Sequence, residues 1–582
     1  MIEQLPPGML LVIGALLLPL APVALRPLIS LTLPLLGMAQ VWLLPTDAQL
    51  VVEVFGYNLE LLRVDNLSRI FGLIFHLAAF LSVLYALHVK DLVQQVSGLA
   101  YAGCAIAAVF AADLISLFLF WEGTAITSVF LVWATRSERA YKTGMRYLII
   151  QVLSGVLLLG GALLHFVDTG SLAFGTAWTD GAVAGAFAFE TLSDASPAAL
   201  LIFLAFGIKA AFPFLHSWLQ DTYPESTPSG AVWLSAFTTK LAIYALARGF
   251  AGTEILIPIG AVMTAFPVFY AAIENDLRKV LAYSLNNQLG FMVVGVGIGS
   301  ELALNGAAGH AFAHILYKGL LFMSMGAVLH RVGTIKAAQL GGLWRSMPIT
   351  TILCTIGAMA ISAFPLFSGF VTKSMILAAA AEEHYTITFL VLLFASAGVM
   401  EHSGIKIPYF TFFAHDSGKR CKEAPANMLA AMAIAAFFCI GIGVLPGPLY
   451  SLLPFPEVAS GFIAYDMTHV VTQCQLLLFA ILAFVFLQKF GLYPAELPST
   501  NIGPEWVFRR GGPRLVRRVW SACSSVGGAA RSFLEQNVRR DLWLIREIHK
   551  PGHGPLGEPW PIGEAALWAA GLLAAVLVLT QL

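Results

Sequence analysis

The chain has 582 residues, 58% of them hydrophobic and 11% charged, with a mean hydropathy of +0.80. Soluble domains carry about 25% charged residues, so the composition excludes a soluble fold and predicts a polytopic, all-α membrane protein. Basic and acidic residues balance at 33 each, which leaves no electrostatic footprint for nucleic acid, and the six cysteines form no CxxC pair that would indicate a disulfide framework or a structural metal.

Taken in chain order, MIEQLPP has no basic stretch ahead of its apolar run, so a spanning helix is expected there rather than a cleaved leader. Runs long enough to span follow near 8–25, 27–44, 68–88, 95–112, 114–134, 146–167, 197–219, 229–248, 253–273, 280–299, 307–329, 347–380, 386–412, 427–448, 469–492 and 563–581. That is about 16 transmembrane helices at roughly 17–25 residues each. Basic residues fall on alternate loops: Arg26, Lys90, Arg136 to Lys142, Arg278 and Lys279, Arg331 to Arg345, and Lys419 to Lys422. Cytoplasmic loops are rich in Lys and Arg, so both termini are expected on the outer side of a bacterial inner membrane. Arg248 is out of phase with this alternation.

Lone charges stand within the apolar runs. Glu122 lies in FLFWEGTAITSVFLV, Lys209 in FLAFGIKAAFPF and Lys240 in LSAFTTKLAIYAL. His310, His314 and Lys318 step by four through AGHAFAHILYKGLLFM, and Lys373 follows a proline in SAFPLFSGFVTKSMIL. A charge at bilayer depth costs about 3 kcal/mol on insertion scales, so a series of them predicts a polar path through the membrane. Four-residue steps drift only about 40° per step around a helix, which puts the two imidazoles and the amine on one face, suited to relaying protons through water. Secondary candidates are His216, seven residues after Lys209, and Glu401 with Lys406, spaced for a local pair.

AFPF at 211–214 and AFPL at 363–366 interrupt two apolar runs, each with a lysine nearby. Proline removes a helical hydrogen bond, and broken helices at matching positions of two halves point to an ion site near the midplane. The segment 503–550 alternates arginines with Trp506, Val516, Trp520, Phe533, Leu534, Leu542 and Trp543 at helical spacing. It reads as an amphipathic helix lying along lipid, broken at Gly511-Gly512-Pro513 and weakened at Gly527-Gly528.

FWEG around Glu122, GIKAAFPFLHSWLQD around Lys209, TTKLAIYALAR around Lys240, NDLRKVLAYS at 275–284, HAFAHILYKGLLFMSMG around His314 and FPLFSGFVTKSMIL around Lys373 cover roughly residues 60–415. In this order they resemble the antiporter-like proton-translocating subunits of Mrp-type sodium/proton antiporters and of respiratory complex I. ASAGVMEHSGIKIPYFTFFAHDSG looks like the Mrp D-type subunit, whereas the tail resembles, in shorter form, that of the largest complex I antiporter-like subunit. The resemblance implies two inverted five-helix repeats, each with a broken helix. It also implies a Glu122–Lys209 coupling pair, a central axis of Lys240, His310, His314 and Lys318, and Lys373 as exit lysine. The expected organisation is N-terminal helices at 1–94, repeats at 95–250 and 251–415, further helices at 416–500, the lateral segment at 501–560 and a last helix at 561–582. Expected partners are small hydrophobic subunits of a hetero-oligomeric complex, lipid at 503–550, protons and Na+. No cofactor motif is present, so any redox chemistry belongs to partner subunits. The alternatives are a redox-driven or hydrogenase-linked pump and the proton channel of an inorganic-carbon uptake complex.

Overall fold

The computed structural model describes residues 5–46, 48–175, 178, 185–494, 496–497, 501, 503, 506–553, 555–557 and 561–581. They fall into two units, Met1–Asn501 and Ile502–Leu582. Among the described residues, 11 helices are long and apolar enough to cross a membrane. They coincide with 11 of the predicted runs. The other five runs differ for identifiable reasons. Met9–Leu20 is short, and Arg26–Leu43 contains Pro34. Leu277–Ile298 carries Asn286, Asn287 and Gln288, all fully buried, so protein rather than lipid surrounds its polar stretch. The remaining two are broken helices.

The expectation of an all-α chain is corrected by a hairpin. Gln49–Val54 pairs antiparallel with Tyr57–Arg63 around Phe55 and Gly56, whose φ angles are 52° and 82°. Positive φ at both turn residues suits the right-handed twist of the strands.

The two breaks share one backbone geometry at an offset of 152 residues (363 − 211). Pro197–Ala210 ends at Ala211 (φ 63°), and Phe214 (φ 67°) precedes Ser217–Glu225. Pro348–Ile361 ends near Ala363 (φ 56°), and Leu366 (φ 72°) precedes Ser368–Glu382. Ala211 N donates to Ile208 O and Phe212 N to Gly207 O; Ala363 N donates to Ala360 O and Phe364 N to Met359 O. These are crossed helix-ending bonds of the kind that favours glycine at the left-handed residue, here served by alanine. The cause is sequence: proline supplies no N–H and pushes the residue before it out of the helical region.

A third interruption has no proline. Phe237 (φ −103°, ψ −68°) separates Pro228–Ala236 from Thr238–Phe250. A fourth is widening rather than breaking: Thr386–Phe413 runs as α-helix, then π-helix at Met400–Ile405 and again at Tyr409–Phe413.

Arg248 explains the irregular loop charge. It is fully buried inside Thr238–Phe250, where its guanidinium grips Asp65 through two bonds of 2.6 and 2.9 Å, so it is not a loop residue at all.

In the second unit, Gly512–Ile548 is one 37-residue helix. At the expected break, Gly511-Gly512-Pro513, a π-helix at Val507–Gly511 gives way to this α-helix, and Gly527-Gly528 lies inside it without interruption. Pro513 sits in the first turn, where a missing N–H costs nothing, and Gly527-Gly528 is carried by long helical flanks with an Arg531–Glu535 pair at 3.0 Å. Ile562–Gln581 is a separate apolar helix of 20 residues.

Candidate ion-translocating site

Four lysines and two histidines of the predicted path are essentially sealed from solvent inside the first unit: Lys209, Lys240, His310, His314 and Lys318 at 0% exposure and Lys373 at 1%. Two of the lysines, Lys240 and Lys373, donate to a backbone carbonyl beside a helix interruption, while Lys209, itself at a break, reaches a carbonyl inside the unbroken helix Leu114–Trp133. Lys240 Nζ donates to Ser235 O at 2.6 Å, two residues before Phe237. Lys373 Nζ donates to Ile361 O at 2.9 Å. Ile361 is the position that corresponds to Lys209 at the 152-residue offset, so the second break receives by reach what the first carries in sequence. Lys209 Nζ donates to Trp121 O at 2.6 Å and to Thr124 Oγ1 at 2.9 Å, and stands 4.3 Å from the centroid of the Trp121 ring. Helix interruptions expose carbonyls that no helical N–H claims, and an ammonium satisfies them.

The structure places Glu122 next to Lys209's acceptors without a direct pair. No Glu122 oxygen lies within 4.0 Å of Lys209 Nζ; Oε1 is buried without a hydrogen-bond partner and packs over Gly155. The reason is the helical angle. Trp121 O and Thr124 point at the amine, while the Glu122 side chain leaves the same helix toward Glu138–Thr169.

Along Glu301–Val332, His310 Nδ1 meets Thr372 Oγ1 at 3.0 Å and Nε2 meets Gln288 Oε1 at 3.2 Å. Tyr317 donates to the same Gln288 oxygen at 3.0 Å. His314 has no partner at either ring nitrogen, and its ring centroid is 6.3 Å from that of His310 and 5.2 Å from that of Tyr317. Lys318 Nζ donates to Ser284 Oγ at 2.8 Å, and Ser403 Oγ donates to the same oxygen at 2.7 Å. Lys240, His310, His314, Lys318 and Lys373 lie within electrostatic reach of one another, whereas Lys209 and Glu122 interact mainly with each other.

Hydroxyls occupy the space between the two groups. Thr124, which holds Lys209, is one turn from Ser128; Ser128 Oγ meets Tyr147 OH at 2.8 Å, and Tyr101 OH meets Thr238 Oγ1 at 2.6 Å, two residues from Lys240. The sequence marked none of these. Hydroxyls in membrane helices are common, and only the fold shows that these line up.

The secondary candidates separate. His216 packs on Phe266, ring centroids 4.5 Å apart, away from the central groups. Glu401 and Lys406 are not a local pair: Tyr493 OH donates to Glu401 Oε1, and Lys406 Nζ pairs with Glu496 Oε1 at 3.0 Å. The widened π-turns between Glu401 and Lys406 shift the register that a regular helix would give.

Buried amines and imidazoles, broken helices and a multi-span fold define an antiporter-like membrane subunit. Residues 111–400 match the family described as NADH:quinone oxidoreductase/Mrp antiporter, TM. The chain is 28% identical to hydrogenase-4 component B of Escherichia coli over 74% of its own length and 70% of the relative's. It is 29% identical to NADH-ubiquinone oxidoreductase chain 5 of Dictyostelium citrinum, covering 65% and 60%. It is 28% identical to Na(+)/H(+) antiporter subunit A1 of Staphylococcus aureus, covering 70% and 55%. Among solved structures, a chain of the Mrp complex from Dietzia sp. DQ12-45-1b aligns with TM-score 0.68 at 20% identity, over 81% of this chain and 98% of that one. A chain of Thermus thermophilus complex I aligns with TM-score 0.64 at 20% identity, over 77% and 98%. Residues 111–400 are thus similar to the antiporter-like subunits that Mrp antiporters and complex I share. The chain spans little more than half the length of the Mrp relative, which is an A1 subunit, whereas the 395–418 stretch resembled the D type.

Proposed function

We propose that this chain is a proton-translocating subunit of a multisubunit cation/proton antiporter of the Mrp type. The observation that carries the reading is the set of buried lysines at Lys209, Lys240 and Lys373, each held on a backbone carbonyl and each either standing at a helix interruption or reaching one. A structural scaffold gains nothing from a buried amine that a methionine would not supply, while a proton carrier needs groups whose charge is held loosely. In this reading the two breaks belong to two inverted five-helix repeats of a fold with about 16 spans. Glu122 sets the charge state of Lys209 through space. Protons pass by the Thr124, Ser128, Tyr147 and Thr238 hydroxyls to Lys240 and along His314, His310 and Lys318, with Lys373 as the terminal group. The basic loops face the cytoplasm of a bacterial inner membrane and the termini face outward. Gly512–Ile548 lies along lipid against neighbouring small hydrophobic subunits.

The test is cation/proton exchange in everted vesicles. Lys209→Ala and Glu122→Ala should each abolish exchange while a native gel still shows the assembled complex. Near-normal exchange in both variants would end the coupling assignment. A second reading, a subunit of a hydrogenase-linked or complex I-like pump, draws support from hydrogenase-4 component B, the relative matched over 70% of its length. Iron–sulfur or flavin proteins co-purifying in mild detergent would favour the pump.

A further inference from the structure

A second group of titratable side chains lies beside the central axis, and the path described above does not use it. Lys406, fully buried, pairs with Glu496 at 3.0 Å and donates to Ala272 O at 2.7 Å, at the C-terminus of Leu256–Ile273. Carbonyls at a helix end favour a cation there. Glu401 accepts from Tyr493, and Tyr493 and Glu401 both lie within electrostatic reach of Glu496. Two carboxylates thus face one ammonium. The cluster can take up one proton and become neutral, which a simple ion pair cannot do without stranding a charge.

Each side of this cluster leads somewhere. Inward, His402 is fully buried with both ring nitrogens unpartnered, one turn from Lys406 and within electrostatic reach of Lys318 and Lys406. Its neighbour Ser403 shares Ser284 with Lys318. Buried polar groups are rarely left unpaired, so an unpartnered ring at this place stands out. The widened π-turn Met400–Ile405 aims these residues inward, and such turns recur at functional sites. Outward, Glu496 lies within electrostatic reach of Glu274, which pairs with Lys279 at 3.1 Å. Lys279 is 23% exposed, and Asn501 Nδ2 also donates to Glu274. The groups facing the cluster are therefore Lys318, Lys373, His402, Glu401, Tyr493 and Glu274.

We propose that His402, Lys406 and Glu496 form a side branch of the proton path that joins Lys318 to the membrane surface at Glu274. This rests on the reading of the chain as a proton-translocating subunit. In the release direction, a Lys406 N–H bond breaks as a Glu496 O–H bond forms, leaving a neutral pair. Glu496 gives that proton to solvent at the Glu274 side and returns to carboxylate. The Lys406 amine regains a proton from the His402 imidazolium, which takes its own from the Lys318 ammonium through the Ser284 and Ser403 hydroxyls. Uptake is the reverse. No electrons move, and each proton leaving Lys318 arrives in solvent.

Lys406→Arg separates a relay from a structural pair. Arginine keeps the charge and the bond to Glu496 but does not release its proton in proteins. Purified complex in liposomes, with proton flux driven by an imposed potassium diffusion potential and normalised to assembled complex, is the assay. The branch predicts a severalfold loss of flux in Lys406→Arg and in Glu496→Gln, with recovery in Glu496→Asp and the remaining flux carried through Lys373, as befits removal of one positioned proton-transfer route. Flux in Lys406→Arg at the wild-type level would overturn the branch while leaving the proposed function standing. Absence of flux in the wild-type complex would overturn both. If Lys406→Arg fails to assemble, Glu496→Gln gives the decision, because it keeps the shape and loses only the titration.

Discussion

Replacing Gly155 by alanine should slow transport severalfold without unfolding the chain. A Cβ built on Gly155 would stand 1.4 Å from Glu122 Oε1, 2.5 Å from its Cδ and 3.0 Å from its Cγ, whereas ordinary van der Waals contact begins at 3.4 Å. The carboxylate oxygen must therefore retreat by about 2 Å (3.4 − 1.4). Glu122 already lies beyond 4.0 Å from the lysine amine. At an effective dielectric of about 20, a shift of a charge between about 5 and about 7 Å from another changes their interaction by about 1 kcal/mol, roughly a fivefold change in the ammonium-to-amine ratio. Folding should hardly register the change. Glycine to alanine inside a helix gains about 1 kcal/mol, which offsets a rotamer cost of about 0.5–1.5 kcal/mol at Glu122. Gly160→Ala on the same helix is the control, since its Cβ would meet only Leu201 Cδ1 at 3.7 Å. Exchange in everted vesicles, normalised to assembled complex, should fall severalfold for Gly155→Ala and stay at wild type for Gly160→Ala. Wild-type exchange in Gly155→Ala, with Glu122→Ala inactive, would refute the claim that transport depends on where this carboxylate sits.

His314→Ala should slow exchange more than His216→Ala, because His314 stands among Lys240, Lys318 and His310 while His216 packs on Phe266; equal rates would remove His314 from the path. Asp65→Asn should destabilise the first unit by about 3–5 kcal/mol, the usual consequence of leaving a buried guanidinium unpaired, read as a lowered midpoint in thermal denaturation. Burial works against ionising Asp65, but the Arg248 guanidinium and backbone N–H groups of Ser68 and Trp178 hold its carboxyl below the usual carboxylate range. This stabilisation is thus present above about pH 4 and fades as the pH falls toward the depressed native value, which a pH series of the same denaturation will show. Truncation after residue 497 should weaken assembly on native gels more than turnover per intact complex, since Lys406 and Glu496 both remain; lost turnover in an intact complex would mean that the tail takes part in coupling.

Lone charges were legible because apolar sequence makes them conspicuous, and the two proline breaks because proline acts through its own chemistry. What escaped notice depends on distance along the chain. Lys209 finds Thr124 85 residues away, and Tyr493 finds Glu401 92 residues away. No local period reports such meetings. Phe237 interrupts its helix with no proline or glycine to announce it, and the π-turns at Met400–Ile405 need one extra residue per turn that the side-chain pattern does not disclose. The hairpin was different. QLVVEVFGYNLELLR sets three valines and then alternating apolar and polar residues on either side of a Phe-Gly turn, a signal that a search for spanning helices passes over.

The interruptions and the lysines belong to one design. An amine deep in a membrane protein needs an acceptor that does not fix it as strongly as a carboxylate, or it cannot give up its proton. A carbonyl freed at a helix break is such an acceptor, neutral yet directional. Lys240 and Lys373 use it, Lys209 uses a carbonyl and a hydroxyl of the unbroken helix Leu114–Trp133, and none of the three has a carboxylate within 4.0 Å among the described residues. Among the described residues, Lys406 alone of the buried lysines has a direct carboxylate partner, and that partner leads by way of Glu274 to Lys279, which is 23% exposed. Near solvent, a carboxylate can hand a proton on, so a tight pair does no harm there. At the centre it would be a trap, which is why Glu122 acts on Lys209 from beyond contact and why a single methyl group at Gly155 should be enough to disturb it.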